Sequence, residues 1–298
     1  MPTADQKSGA CKATFLLLVL TAERKNMNSF MSWVGGKKNL RDEVLARFPP
    51  YYERYIEVFG GAGWVLFHKP PGADFEVYND FNSNLANLYR CVRDKPAKLK
   101  YKLRYVLDSR EDFEYLALLH KRGILPRLYD VDRAAKFYQL IRYSYASGLD
   151  SFGSQPHSMW SDFPMIDLAA RRLQKVVIEN KDFEKLIRQY DRPVSFFYCD
   201  PPYFATENYY KDVGFTAKDH IRLRDALLDI KGRFLVSYND CPEIREIWDK
   251  PNIHIEEISR LNNLAQRYDA GCQYGELLIS NYDTSERAKA IKQLSLFD

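Results

Sequence analysis

Apolar and polar positions along the chain follow two rhythms. Short unbroken apolar runs, bounded by glycine, proline or acidic residues, predict buried strands at 55–59, 75–78, 176–179, 194–199 and 234–238, with a last pair at 254–259 and 277–282. Between them, apolar residues recur every three or four positions. That spacing predicts helices running to Phe48 before Pro49-Pro50, from Trp64, over 81–93, 97–107, 112–121 and 132–145, after Asp182-Phe183, and from a Thr216 cap to Ile230. Strands alternating with helices predict an α/β fold with strands buried on both faces. Residues 96–175 offer no convincing strand and read as a helical insertion.

The ends of the predicted strands carry the chemistry. The run at 194–199 stops at Asp200-Pro201-Pro202-Tyr203, where two prolines end the ladder. In open α/β sheets, ligands bind beyond the carboxyl ends of strands. This tip offers a carboxylate (Asp200), a fixed carbonyl (Pro201) and a flat ring (Tyr203), parts that suit an exocyclic amine on a stacked base. The alternative is a plain strand-ending turn. The strand at 55–59 runs into Gly60-Gly61-Ala62-Gly63 and then a helix, an arrangement that lets backbone approach a nucleotide-type cofactor. The third glycine of the dinucleotide fingerprint is replaced by Leu66, which speaks against a nicotinamide enzyme. The strand at 75–78 ends at Asn79-Asp80, and an acid there is placed to accept hydrogen bonds from ribose hydroxyls.

Charge sharpens this reading. Across 298 residues the net charge is only +4, but residues 90–150 hold 14 Lys/Arg against 8 Asp/Glu, so that block is +6 and the remainder −2. A basic block on a near-neutral body fits a polyanion, or else a solvated helical face. Arg142, Tyr143, Ser144, Tyr145, Ser147 and Leu149, next to a turn-rich loop, interleave basic, hydroxyl and aromatic groups, as a surface reading phosphates and bases needs. Five scattered cysteines with no Cys-x-x-Cys pair suggest neither a disulfide framework nor a metal site, and a cytoplasmic setting is expected. No apolar run approaches the ~20 residues needed to span a bilayer, so no membrane partner is expected.

Three stations in this order, Trp33-Val34-Gly35-Gly36-Lys37, Phe59-Gly60-Gly61-Ala62-Gly63 and Asp200-Pro201-Pro202-Tyr203, resemble the D12 class of N6-adenine-specific DNA methyltransferases, the Dam-like family. The resemblance covers about residues 29–281. It implies an S-adenosylmethionine-dependent methyltransferase (Rossmann-like) mixed sheet, with a catalytic domain at 27–89 and 176–282 and a helical target-recognition domain at 90–175. It implies catalytic roles for Asp200, Pro201, Pro202 and Tyr203, and cofactor binding by Trp33, Lys37, Phe59, Gly61, Ala62, Gly63, Asp80, Phe81, Asp182 and Phe183. Arg142, Tyr145, Ser147 and Leu149 are expected to meet DNA. The segment after Arg142 lacks the Asn and following Arg of GATC-reading members, so no target sequence is carried over. The implied reaction is methyl transfer to adenine N6 of a base flipped from duplex DNA. An RNA adenine-N6 methyltransferase, and a non-catalytic DNA-binding protein that keeps the cofactor pocket, are the alternatives.

The two ends carry expectations of their own. Residues 1–26 read as a dispensable extension, with Met27 as the natural start. Residues 283–298 read as a mobile tail. Within it Gln293, Leu294, Leu296 and Phe297 resemble the short motif by which bacterial DNA-processing proteins dock on the replisome's sliding clamp. A monomer acting in a bacterial or phage-infected cell is expected.

Overall fold

The structure, a computed structural model, describes residues 27–294 apart from 34, 71, 74, 154, 206–213 and 262–272; of 259–261, 273, 274, 293 and 294 only the backbone is described. The expected extension at 1–26 and the end of the tail, with Leu296 and Phe297, lie outside the described residues.

Seven strands form one sheet: β1 (Arg54–Glu57), β2 (Phe75–Asn79), β3 (Val176–Glu179), β4 (Ser195–Cys199), β5 (Arg233–Asn239), β6 (His254–Leu261) and β7 (Gln273–Ser280). Their order is β3-β2-β1-β4-β5-β7-β6. Pairings from β3 to β5 are parallel, and β7 runs antiparallel to both β5 and β6. The predicted α/β architecture is therefore the observed one. Side chains of β4 alternate between two cores. Phe196 and Tyr198 join one hydrophobic cluster, whereas Phe197 and Cys199 join the other. All five β4 residues are buried, and the last four, Phe196 to Cys199, are apolar or aromatic, as burial on both faces favours.

Helices cover both faces. Before and within the first half of the sheet come α1 (Arg41–Ala46), α2 (Trp64–His68) and α3 (Ser83–Asp94). The segment between β2 and β3 continues with α4 (Pro96–Leu103), α5 (Arg110–Lys121), α6 (Asp130–Tyr143) and α7 (Phe163–Leu173). Phe137, Leu140 and Leu173 of this block share one cluster with Tyr55 and Phe196 of the sheet, so the helices pack on the same core. Beneath β2, a buried ion network ties block to sheet. Lys69 and Arg172 both bind Glu76, the latter at 2.6 Å, and Arg172 also reaches the Leu66 carbonyl at 3.0 Å. The remaining helices are α8 (Phe183–Tyr190), α9 (Ala217–Leu228), α10 (Pro242–Trp248) and α11 (Glu286–Leu294). Thr216 and Asp219 form a capping box at the start of α9, as its sequence predicts.

The expected mobile tail begins instead with a helix. Glu286 of α11 pairs with Arg233 at 2.6 Å, which docks its first turn on the sheet. Among the described residues no helix is long and apolar enough to cross a membrane.

Candidate active site

β1 and β4 are neighbours in the sheet, yet β1 leads on to β2 on one side and β4 to β5 on the other. The carboxyl ends of β1 and β4 therefore open a crevice at the point where the strand order reverses. A cavity of about 270 Å³ occupies it, lined among others by Lys37, Glu57, Asp80, Phe183, Asp200 and Pro202. The three sequence stations, far apart along the chain, meet there.

Asp200 follows the last residue of β4 and is held from one side only. Lys37 Nζ donates to its Oδ1 at 2.5 Å, and Ser237 Oγ on β5 donates to the same Oδ1 at 3.0 Å. Among the described residues no donor reaches Oδ2. Burial pushes the Asp200 carboxyl above its ordinary range, and the Lys37 ammonium opposes that shift. Lys37 also lies 4.4 Å from the centre of the Tyr203 ring. The Tyr203 hydroxyl donates to Glu276 Oε2 on β7 at 2.6 Å, fixing the ring beside Asp200. Lys37, expected with the cofactor residues, thus joins the cavity lining to the Asp200 carboxylate.

The other half of the cavity is built on the glycine turn after β1. A Cβ on Gly60 would fall 2.2 Å from the Tyr78 ring, so only glycine fits there. Gly63 caps α2 with φ 63°, a left-handed conformation that favours glycine. Asp80 accepts backbone N–H bonds from Gly61 (2.9 Å) and Asn82 (2.7 Å). Burial outweighs these bonds and lifts its carboxyl to about 6. Next to it Phe81 is 54% exposed at the cavity edge, an aromatic face the fold leaves uncovered. Trp33 packs against Gly61 and against Phe137 of α6. Phe59 and Ala62 line the cavity, and Phe59 meets the Phe183 ring at 5.6 Å.

Other expected residues take different places. Asp182 lines the cavity, but its carboxylate caps α8 through Glu184 and Lys185 and pairs with Arg222. The Arg222 guanidinium covers the Phe183 ring at 4.4 Å. Of the residues expected at DNA, Ser147 and Leu149 line this cavity. Arg142 is occupied by Asp162 at 3.0 Å and by His157 at 2.9 Å. Tyr145 alone of the four is largely exposed.

Glu57, Ser237 and Glu276 escape the sequence reading. Glu57 ends β1 on the cavity floor, where Tyr55 OH donates to it at 2.6 Å. Burial lifts its carboxyl to about 8, with the nearby Asp200 adding to the shift. The signal was present, since a glutamate interrupts the apolar run Tyr55-Ile56-Glu57-Val58-Phe59. Ser237 and Glu276 gain meaning only through strand pairing and carry no local signal.

A mixed α/β sheet of this order, with an Asp-Pro-Pro-Tyr tip facing a glycine turn, is consistent with the fold of an S-adenosylmethionine-dependent methyltransferase. Residues 33–263 match the D12 class N6 adenine-specific DNA methyltransferase family, and the chain belongs to that family. It is similar to the type II methyltransferase M1.LlaDCHI of Lactococcus lactis subsp. cremoris, 29% identical over 286 residues, covering 89% of this chain and 99% of the relative. It is also similar to the DNA adenine methylase of Escherichia coli (strain K12), 26% identical with 79% of this chain and 89% of the relative covered. The DNA adenine methylase of Haemophilus influenzae is 27% identical, with 74% and 82% covered. The chain is a DNA adenine methyltransferase, and the family implies S-adenosylmethionine as donor. The cavity suits that molecule. The buried Glu57 carboxyl and the half-buried Asp80 carboxyl in its lining suit a ligand that carries positive charge and ribose hydroxyls, and the uncovered Phe81 ring offers a stacking face for its adenine.

Proposed function

We propose that the chain flips an adenine out of duplex DNA and presents its N6 to a methyl donor held in the cavity between β1 and β4. The reading rests on one observation: Lys37 and Ser237 both bind Oδ1 of Asp200, and Oδ2 is left as an acceptor facing the site. The target amine donates one hydrogen to Oδ2 and the other to the Pro201 carbonyl, which directs the nitrogen lone pair toward the cavity where the methyl donor would sit. The Tyr203 ring stacks on the base, held in orientation by Glu276. Pro202 keeps the turn rigid. When bound, S-adenosylmethionine supplies a methyl group on a positively charged sulfur. Gly61, Ala62 and Gly63 would bring backbone to it, Asp80 would accept hydrogen bonds from its ribose hydroxyls, and Phe81 and Phe183 would flank its adenine. Orientation and fixed charges do most of the work.

The helical segment 90–175 is read as the target-recognition unit, on the strength of its excess of basic residues. At the end of α11, residues 293–297 are read as a docking peptide for a bacterial sliding clamp, which would raise the effective concentration of enzyme at newly copied DNA. Calorimetric titration of clamp with the peptide 292–298 tests that part; equal binding by the Leu296→Ala, Phe297→Ala peptide removes it.

The decisive experiment for the reaction is mass spectrometry of nucleosides from duplex DNA treated with wild type or Asp200→Ala. N6-methyladenine is expected from the wild type and is expected to fall at least about 10²-fold in the variant, while the variant still binds the cofactor. Undiminished methylation by Asp200→Ala refutes the mechanism.

A further inference from the structure

Exposed rings are concentrated in one part of the chain. Of the seven exposed Phe, Tyr and Trp side chains among the described residues, all but Phe81 lie in the helical insertion. Single exposed apolar residues are ordinary, whereas a cluster marks an interaction surface. Three of these rings form such a cluster, with charge between them. Tyr101 of α4 and Tyr105, just beyond its end, stand edge to face at 5.8 Å. Arg104 lies over the Trp160 ring at 5.1 Å, and Trp160 packs on Phe163 at 5.4 Å. Lys100, one turn before Arg104, pairs with Asp167 at 2.6 Å, which fixes α4 against α7 and sets the tyrosine pair next to Trp160.

The band runs on to a short hairpin that follows α6. Asp108 accepts the His157 N–H at 3.0 Å, and Arg110 lies 4.9 Å from the Phe152 ring centre. Phe152 belongs to the hairpin. Tyr145 N–H donates to the Ser151 carbonyl and Gly153 N–H to the Tyr143 carbonyl, each at 2.7 Å, around a Ser144–Phe152 bridge. At its foot Arg142 and His157 share Asp162. Its tip, Ser147 to Leu149, lines the cavity that holds Asp200. The band therefore leads from α4 to the edge of the candidate active site.

What these rings can bind follows from what a nucleic acid shows. A duplex hides the faces of its bases in its own stack and presents phosphates and base edges. An exposed ring face gains little from it. A single strand presents bare base faces, and stacking on aromatic side chains beside cationic groups is how such strands are held. Tyr105, 71% exposed, and Trp160, 55% exposed, offer the ring faces. The charge is complementary too. Among the described residues no carboxylate pairs with Arg104 or Arg110, so each guanidinium is open to the phosphate beside a stacked base.

We propose that the band from Tyr101 and Tyr105 through Trp160 to Arg110 is a binding site for single-stranded DNA. Bases stack on Tyr105 and Trp160, and phosphates meet Arg104 and Arg110. The two arginines serve either form of DNA, whereas the rings serve only the unpaired one. A strand seated here reaches the cavity with no base pair left to break. The proposal goes beyond the flipping mechanism and does not depend on it.

The test is titration of the full chain, without cofactor, with an oligothymidylate of about 16 nucleotides and with a duplex of equal length. Oligothymidylate carries no adenine and leaves the reaction aside. Trp160 is the one exposed residue among the four tryptophans, so its stacking on a base is read as fluorescence quenching. Wild type is expected to bind the single strand with quenching. Trp160→Phe is expected to keep the binding, followed by anisotropy, and to lose the quenching. Tyr105→Ala is expected to weaken single-strand binding about tenfold more than duplex binding, and Tyr105→Phe to restore it. No single-strand binding by wild type, quenching retained in Trp160→Phe, or equal losses on both forms of DNA in Tyr105→Ala would each overturn the proposal. So would tighter binding of a single-stranded RNA of matching length. Self-association of wild type that Tyr105→Ala abolishes, with strand binding unchanged, would give the patch to a second copy of the chain instead. None of these results bears on methylation of duplex DNA, which Asp200→Ala decides.

Discussion

Lys37 and Asp200 stand 163 positions apart in sequence, and their side chains meet at 2.5 Å. Lys37 is 3% exposed and Asp200 17%, so the ammonium is sealed in while the carboxylate keeps an opening toward the cavity. A buried pair of this kind contributes little to stability compared with apolar packing, but losing one partner leaves a costly lone charge. The ammonium opposes the upward pull of burial on the Asp200 carboxyl, and its bond to Oδ1 leaves Oδ2 as the available oxygen.

Replacing Lys37 with Met removes the group that holds the Asp200 carboxyl down. Its pKa then rises further, and the ionised acceptor forms only at higher pH. The acid limb of the pH–rate profile of methyl transfer is expected to move upward by about a unit or more, with activity at neutral pH reduced and partly recovered in alkali. An acid limb at the wild-type position would mean that Lys37 does not tune Asp200.

Glu57 gives a second pH dependence, of opposite use. Its carboxyl rises from 4.5 to about 8 on folding, so the neutral form is the one the native state prefers. Its stabilising contribution is complete below about 4.5 and is lost as pH rises toward 8. Glu57→Gln is expected to flatten the fall in melting temperature across that window and to melt higher than wild type at pH 8. A cofactor with positive charge nearby favours the ionised form. Binding near pH 7 should therefore release protons in wild type, seen as a dependence of calorimetric heat on buffer ionisation enthalpy, and release fewer in the variant. Identical pH dependence of melting in the two proteins would remove Glu57 from this role.

How much of this was legible in the sequence depends on how local the cause is. β4 and β5 announce themselves because, apart from the buried Ser195 and Ser237, the residues facing the two cores are apolar or aromatic. Three helices, α7, α10 and α11, escape the periodic reading. α7 and α10 each open with proline in the first turn, Pro164 and Pro242, where a missing N–H costs nothing. A reader treating proline as a breaker places loops there. The site divides in the same way. Asp80, the glycine turn and Asp200 sit at strand ends and are visible as interruptions of apolar runs. Ser237 and Glu276 reach the site only through the pairing of β5 with β4 and β7, which no local pattern encodes.

Asp80 joins two backbone N–H groups at the turn where ribose is expected. Asp80→Ala removes an acceptor whose bonds to hydroxyls are charge-assisted, worth about 1–3 kcal/mol. The rise in melting temperature on adding saturating S-adenosylmethionine is expected to shrink accordingly. An undiminished rise in the variant would mean that the ribose is held elsewhere.

Arg142 illustrates how pairing overrides a charge pattern. Its sequence neighbourhood predicts a phosphate contact, yet its guanidinium is occupied by Asp162 and His157 and anchors the hairpin foot. Arg104 and Arg110 offer the contrast. They lie over the Trp160 and Phe152 rings at 5.1 and 4.9 Å, and among the described residues no carboxylate pairs with either. Such guanidiniums are available to phosphate while keeping their stacking partner. Each phosphate neutralised contributes about 0.9 to the slope of log K against log salt. Arg104→Ala and Arg110→Ala are each expected to lower duplex affinity and flatten that slope by nearly one. Arg142→Ala is expected to lower the melting temperature, because it leaves Asp162 half of its partners, and to leave the slope unchanged. Fluorescence anisotropy with a labelled duplex from 50 to about 200 mM salt separates the two behaviours. A slope that falls by one in Arg142→Ala, with melting unchanged, would return that residue to the DNA interface and undo its assignment as an anchor.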